Sequence, residues 1–314
     1  MNANIFGLGT LPKNNGKKNE NVPLGNLLGL NEPVKNQSAN LEDLFPKPFD
    51  AAFFLDNDQG HIEKLASCGD NLTARKVPDG NMGVRLDSPY FLDTFIGGMS
   101  EKAKRAAEVF VKILLWNQNS VENLDIGSGI GPEDSKAVKE WVSRNAGKRL
   151  AVLIDYDRTL TVIEGGFLLG TSLEDMKEYL YGQIPPPHLD FRDELDDLTI
   201  EGLVEYYVGG QERMRMLQSF FDFLYENNVS IILLTNNVAC PSRRGIFHEI
   251  MDVLTRNRPS TVLCGMDFGF DKKRTIQEQG SVYGKVCPIL QGGKRNRKRT
   301  RRIPKKKRKT QKHK

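Results

Sequence analysis

Two carboxylates and two hydroxyls, Asp155, Asp157, Thr159 and Thr161, stand at alternate positions directly after an apolar run, Leu150 to Ile154, in the stretch RLAVLIDYDRTLT. The run has the length of a strand buried on both faces. A buried strand that ends in acids delivers them to one place, and in open α/β sheets ligands bind beyond the carboxyl ends of the strands. The pattern predicts an active-site edge. The plainer alternative is a surface turn rich in Asp and Thr.

The string DYDRTLT, Asp155 to Thr161, resembles the first motif of the haloacid dehalogenase (HAD) superfamily, Asp-x-Asp-x-Thr/Val-Leu/Val-Thr/Ser, and matches it at every constrained position. In that family the first Asp attacks a phosphoryl group and the second is the general acid and base. The resemblance therefore implies Asp155 as nucleophile and Asp157 as proton shuttle. The chemistry agrees: carboxylates form aspartyl-phosphates, but two anions meeting need a cation between them. Mg²⁺, a hard ion that takes oxygen ligands, is the expected cofactor. The fold this implies is α/β, a Rossmann-like parallel sheet with flanking helices and a helical cap insertion.

Three further segments resemble the remaining motifs. Met214, Leu217, Phe220, Phe221 and Leu224 form an apolar helical stripe, followed by a strand from Val229 to Leu234. Its end, LLTNN, resembles the second motif and implies that Thr235 donates to a phosphoryl oxygen, with Asn236 and Thr159 beside it on the substrate. GFDKKRTIQEQ resembles the third, which supplies a basic residue, Lys272 or Lys273; Lys272 is favoured because Ile276 then lies one turn on, toward the core. A cation there would neutralise the phosphoryl group and hold Asp155 ionised. FDAAFFLDNDQG resembles the fourth, a strand ending in an Asp pair, read here as Asp56, Asn57, Asp58. It implies that Asp56 shares the metal with Asp155 and the backbone carbonyl of Asp157.

The fourth motif normally follows the other three. Here it precedes them, as in a circularly permuted chain, which is physically cheap when the old ends lie close together on the surface. Five strands are expected, at 51–55, 72–77, 150–154, 229–234 and 261–264. The conventional order would take Asp267 and Asp271 as the fourth motif and Arg243, Arg244, Arg256 or Arg258 as the cation. It leaves too little chain for the last strands and an exposed sheet edge.

Residues 85–147 read as mainly helical, with helices over Glu101 to Trp116 and Ser135 to Val142. Between them LDIGSGIG, Leu124 to Gly131, resembles the glycine-rich first motif of S-adenosylmethionine-dependent methyltransferases, with Asp155 as the later acid. Against that rival, the preceding WNQNSVEN is too polar for the buried strand such a loop must follow. Residues 162–209 carry helical segments and the acids Glu174, Asp175, Asp193, Asp196 and Asp197. An insertion of this size after the first motif resembles a cap that excludes water and selects substrate. The acids themselves read as a solvated face.

The net charge of +5 over 314 residues averages two objects: residues 294–314 hold 14 Lys and Arg and no acid, leaving 31 basic against 40 acidic residues elsewhere. Residues 1–44, rich in Asn, Gly, Lys and Pro, and the basic tail 291–314 are expected to be disordered, flanking a catalytic domain over 45–290. PKKKRK, Pro304 to Lys309, resembles a nuclear-localisation signal, so an import receptor or nucleic acid, bound through residues 294–314, is an expected partner. A GGK-led basic tail resembles those of proteins encoded by large DNA viruses. The expected substrate is a small phosphorylated molecule or a phosphoprotein, with no membrane partner, since no run nears the ~20 apolar residues of a span. An intracellular protein is expected, with Cys68, Cys240, Cys264 and Cys287 as reduced thiols. A remaining alternative is a catalytically idle scaffold whose working part is the tail.

Overall fold

The five expected strands form one sheet. The computed structural model describes residues 47–80, 82–117, 123–163, 172–183, 192–237, 240 and 245–288. The expectations for residues 1–44 and for the basic tail lie outside these residues. In chain order the elements are β1 (Ala51–Asp56), α1 (Gln59–Ala66), β2 (Leu72–Lys76), β3 (Met82–Arg85), α2 (Glu101–Asn117), β4 (Asn123–Ile126), α3 (Pro132–Arg144) and β5 (Leu150–Ile154). There follow α4 (Leu173–Gln183), α5 (Arg192–Asp196), α6 (Ile200–Val208), α7 (Gln211–Glu226), β6 (Ser230–Thr235), α8 (Ile246–Thr255), β7 (Thr261–Cys264), α9 (Lys272–Glu278) and α10 (Gly280–Tyr283).

The five-stranded sheet has the order β2-β1-β5-β6-β7, and every pairing in it is parallel. The protein is thus an α/β structure with helices on both faces of a parallel sheet. β1 and β5, almost a hundred residues apart in sequence, are hydrogen-bonded neighbours, with Leu55 opposite Ile154. Both are buried along their whole length, as central parallel strands must be.

Strand parity sorts the core into two layers. Ala51, Phe53, Leu55, Val152, Ile154, Ile231 and Leu233 face the larger cluster, which includes residues of α2, α3, α6, α7 and α8. Ala52, Phe54, Ala151, Leu153, Ile232 and Leu234 face the smaller one, with Leu65 of α1, Ile276 of α9 and Tyr283 of α10.

Three expectations need correction. Residues 85–147 are not helical throughout: β4 pairs antiparallel with β3 in a separate two-stranded ribbon, a pairing between residues some forty apart that local periodicity cannot signal. Part of the segment 162–209, expected as a cap insertion, belongs to the core of the domain. Its helix α6 is buried from Gly202 to Val208 and packs on α2 and α8. α6 ends at Gly209, in the left-handed region at φ 86°, where a Cβ would stand 2.8 Å from the Val162 side chain. The acids Glu174, Asp175, Asp193, Asp196 and Asp197 are exposed, as a solvated face should be. The cysteines, finally, are not reduced thiols: Cys68 is bonded to Cys287 and Cys240 to Cys264. Their separations of 219 and 24 residues match no metal or redox spacing, so only the fold could reveal the pairing.

Candidate functional site

Parity also builds the site. Asp56 continues the alternation Ala52, Phe54, and Asp155 continues Ala151, Leu153, so both acids leave the sheet toward the smaller cluster, the face that carries α9. The connections from β1 and β5 run to opposite sides, so the crevice between these strands is the topological switch point of the sheet. Asp56 closes one wall of that crevice and Asp155 the other.

Lys272, the first residue of α9, reaches between them. Its Nζ donates to Asp56 Oδ2 at 2.6 Å and to Asp155 Oδ1 at 2.5 Å. All three groups are buried. Ile276 lies one turn on in the smaller cluster, which orients the lysine. Lys273 points elsewhere and donates to Ser67 Oγ at 2.6 Å. Asp271, which the conventional order would place in the site, instead caps α9 by accepting the Arg274 N–H, and Asp267 is exposed beyond the outer strand β7. Arg256 and Arg258 pair with Asp222 of α7; Arg243 and Arg244 lie outside the described residues.

Each acid has further partners. Asp56 accepts the Asp58 N–H at 2.8 Å on Oδ1, and its Oδ2 also meets His61 Nδ1 at 2.9 Å. Asp155 Oδ2 accepts from Thr159 Oγ1 at 3.4 Å, and that hydroxyl accepts the Asn57 N–H at 3.0 Å. Asp58 is spent on capping α1 through the N–H groups of Gly60 and His61. Asp157 is partly exposed, and the Asn237 side-chain amide donates to it at 3.1 and 3.2 Å. Thr235 Oγ1 accepts the Asn237 N–H at 3.0 Å, so Thr235 and Asp157 are linked through one asparagine. Asn236 is engaged by the next loop, its amide donating to the Phe270 carbonyl at 2.8 Å. Thr161 braces the loop, donating to the carbonyls of Tyr156 and Ile163.

The electrostatics follow from two acids and one base in a buried space. Burial pushes the Asp155 carboxyl up, to about 7; Lys272 opposes this, and Asp56 and Asp157 add to it. For Asp56, burial is outweighed by the hydrogen bond from His61 and by the charge of Lys272, and its carboxyl is held below the usual range. For Lys272, burial would lower the ammonium, but the two carboxylates outweigh it and raise it.

The donor set suits a hard cation. Oxygens that bond one nitrogen at 2.6 and 2.5 Å lie at most about 5 Å apart; two oxygens at about 2.1 Å from one ion span at most about 4.2 Å, so the pair could share an ion with a small approach of the two carboxylates and Lys272 drawn aside. Among the described residues, however, no three His, Cys, Asp or Glu side chains are grouped to hold a metal. An ion here would rest on two carboxylates, backbone oxygen and water, the coordination Mg²⁺ favours.

His61, Asn237 and Arg213 were missed by motif reading. Arg213 of α7 is half-buried and donates to the carbonyls of Ile130 and Leu160, joining the Gly127–Gly131 loop to the loop of Asp157 and Thr159. Burial lowers its guanidinium to about 10. Only Asn237 left a signal, its place two residues beyond Thr235. The Gly127–Gly131 loop does not follow a strand of the main sheet, as a methyltransferase cofactor loop would. It follows β4 of the ribbon and docks by Gly127 N–H to the Val162 carbonyl and Ile130 N–H to the Thr159 carbonyl. Among the described residues no helix is long and apolar enough to cross a membrane. Comparison with family models, with curated proteins and with solved structures found no match to this chain.

Proposed function

We propose that the chain is a Mg²⁺-dependent phosphatase or phosphotransferase of the HAD type, with its strands in circularly permuted order, acting through an aspartyl-phosphate. One observation carries the reading: Asp56 from β1, Asp155 from β5 and Lys272 from α9, drawn from three distant parts of the chain, meet in one buried cluster at the switch point of the sheet.

In the proposed reaction an Asp155 carboxylate oxygen attacks phosphorus in line, forming the P–O bond as the bond to the leaving oxygen breaks. Asp157, aimed by Asn237, gives that oxygen its proton and then takes one from the water that hydrolyses the aspartyl-phosphate. Thr235 donates to a phosphoryl oxygen, and Lys272 supplies positive charge beside the attacking group. Asp155, Asp56 and the backbone carbonyl of Asp157 would hold Mg²⁺, which supplies charge neutralisation between the two anions that must meet. His61 holds Asp56 in place by its 2.9 Å hydrogen bond, as outer partners hold ligating groups elsewhere.

The test is hydrolysis of a phosphate ester with and without Mg²⁺. Turnover is expected only with the metal, and Asp155→Asn is expected to lower it by about 10³-fold or more. Metal-dependent turnover that survives unchanged in Asp155→Asn would sink the mechanism.

A further inference from the structure

Phe270 holds a place that suits its side chain poorly. Its backbone stands at φ 60°, a left-handed conformation that bulky residues rarely adopt. The residue is 48% exposed, so burial does not offset the strain. The conformation is imposed from both sides: the Phe270 N–H donates to the Gly265 carbonyl at 2.8 Å, and its own carbonyl accepts from the Asn236 amide at 2.8 Å. Gly265 permits that approach, since a Cβ there would stand 1.9 Å from Asn236 Oδ1. Asp271 and Lys272 follow directly. Phe270 is therefore clamped between the loop that carries Thr235 and Asn237 and the lysine that joins the two acids, at the carboxyl edge of the sheet. Met266, on the same short loop, is 38% exposed. Strained, over-determined backbone of this kind, here two residues before Lys272 and bonded to the loop of Thr235 and Asn237, is the form a ligand clamp takes.

We infer that the Met266–Phe270 loop is the apolar wall of the substrate site, and that Phe270 stacks on a planar ring in the group esterified to phosphate. The inference rests on the phosphoryl-transfer reading and adds to it the class of substrate. The charged cluster can recognise only the phosphoryl group. An exposed ring offers a face to another flat ring, which flexible aliphatic groups fill less well.

The test compares phenyl phosphate with glycerol phosphate on the full chain, with a nucleoside monophosphate as an arm in which a sugar separates ring from phosphate. Phe270→Gly removes the ring and suits the backbone, so loss of folding does not cloud the result; Phe270→Trp keeps a stacking face. The ratio of kcat/KM for phenyl over glycerol phosphate is expected to fall roughly three- to tenfold in Phe270→Gly, through KM, and to be retained in Phe270→Trp. If the nucleotide loses as much, the ring lies beyond a sugar; if only phenyl phosphate does, it lies on the ester oxygen. Hydrolysis with an unchanged ratio overturns the inference and leaves the reaction standing. Calorimetric binding of phenyl phosphate that weakens in Phe270→Gly, in a protein without turnover, supports the inference and overturns the reaction. Self-association abolished by Phe270→Gly with an unchanged ratio assigns the loop to an interface between copies and overturns the inference.

Discussion

Replacing Lys272 by methionine probes the electrostatics on which the site rests. Lys272 is 3% exposed, and its ammonium lies 2.6 and 2.5 Å from two buried carboxylates. Methionine preserves much of the stem but leaves two acids facing each other where water does not screen them. Removing one partner of a buried ion pair costs about 3–5 kcal/mol. The cost has a definite pH dependence. The Asp155 carboxyl is raised from 3.8 to about 7, so the folded state holds this proton more tightly than the unfolded chain, and stability falls as pH rises between those values. A shift of roughly three units corresponds to about 4 kcal/mol. Without Lys272 the acid rises further and the window widens upward. Asp56 acts with the opposite sign: its lowered carboxyl contributes stability that is present above its unfolded range and lost as pH falls through the lowered value. Denaturant unfolding of metal-free protein is expected to place Lys272→Met about 3–5 kcal/mol below the parent at alkaline pH, with the deficit shrinking by about 2 kcal/mol or more near pH 5. Asp155→Asn should show the reverse, gaining up to about 4 kcal/mol above pH 7 and losing that advantage toward pH 4. A Lys272→Met deficit under about 1 kcal/mol, or one independent of pH, would refute the buried triad.

Two further outcomes are expected. Non-reducing peptide mapping should recover Cys68 linked to Cys287 and Cys240 linked to Cys264; replacing Cys68 and Cys287 together by serine should cost about 2–5 kcal/mol, because that bond closes a very long loop in the unfolded chain. Binding of the full chain to duplex DNA should weaken steeply with salt and vanish on truncation near Gln291, since residues 294–314 carry the basic run; binding that survives truncation removes the tail from the account.

Local pattern determined more of this protein than its order did. The five strands lie within a residue or two of the expected segments; β1, β5 and β6 are buried parallel strands, which need little beyond a short apolar segment bounded by polar residues, while the edge strand β2 is largely polar. Asp56, Asp155 and Thr235 were legible for the same reason, each standing where such a run ends. The choice of Lys272 over Lys273 was half legible: Ile276 set the face of the helix, but only the packing of α9 beside the two acids turned that face into a contact. What tertiary structure alone decided is non-local. It placed β1 beside β5 across almost a hundred residues, paired β3 with β4, buried α6, joined the cysteines and brought His61 onto Asp56. Periodicity records which face of an element is apolar; it holds no record of which element that face will meet. The stretch from Leu150 to Thr161 could therefore mark a candidate site by itself. Its cation, and the acid that shares it, had to come from the two ends of the domain.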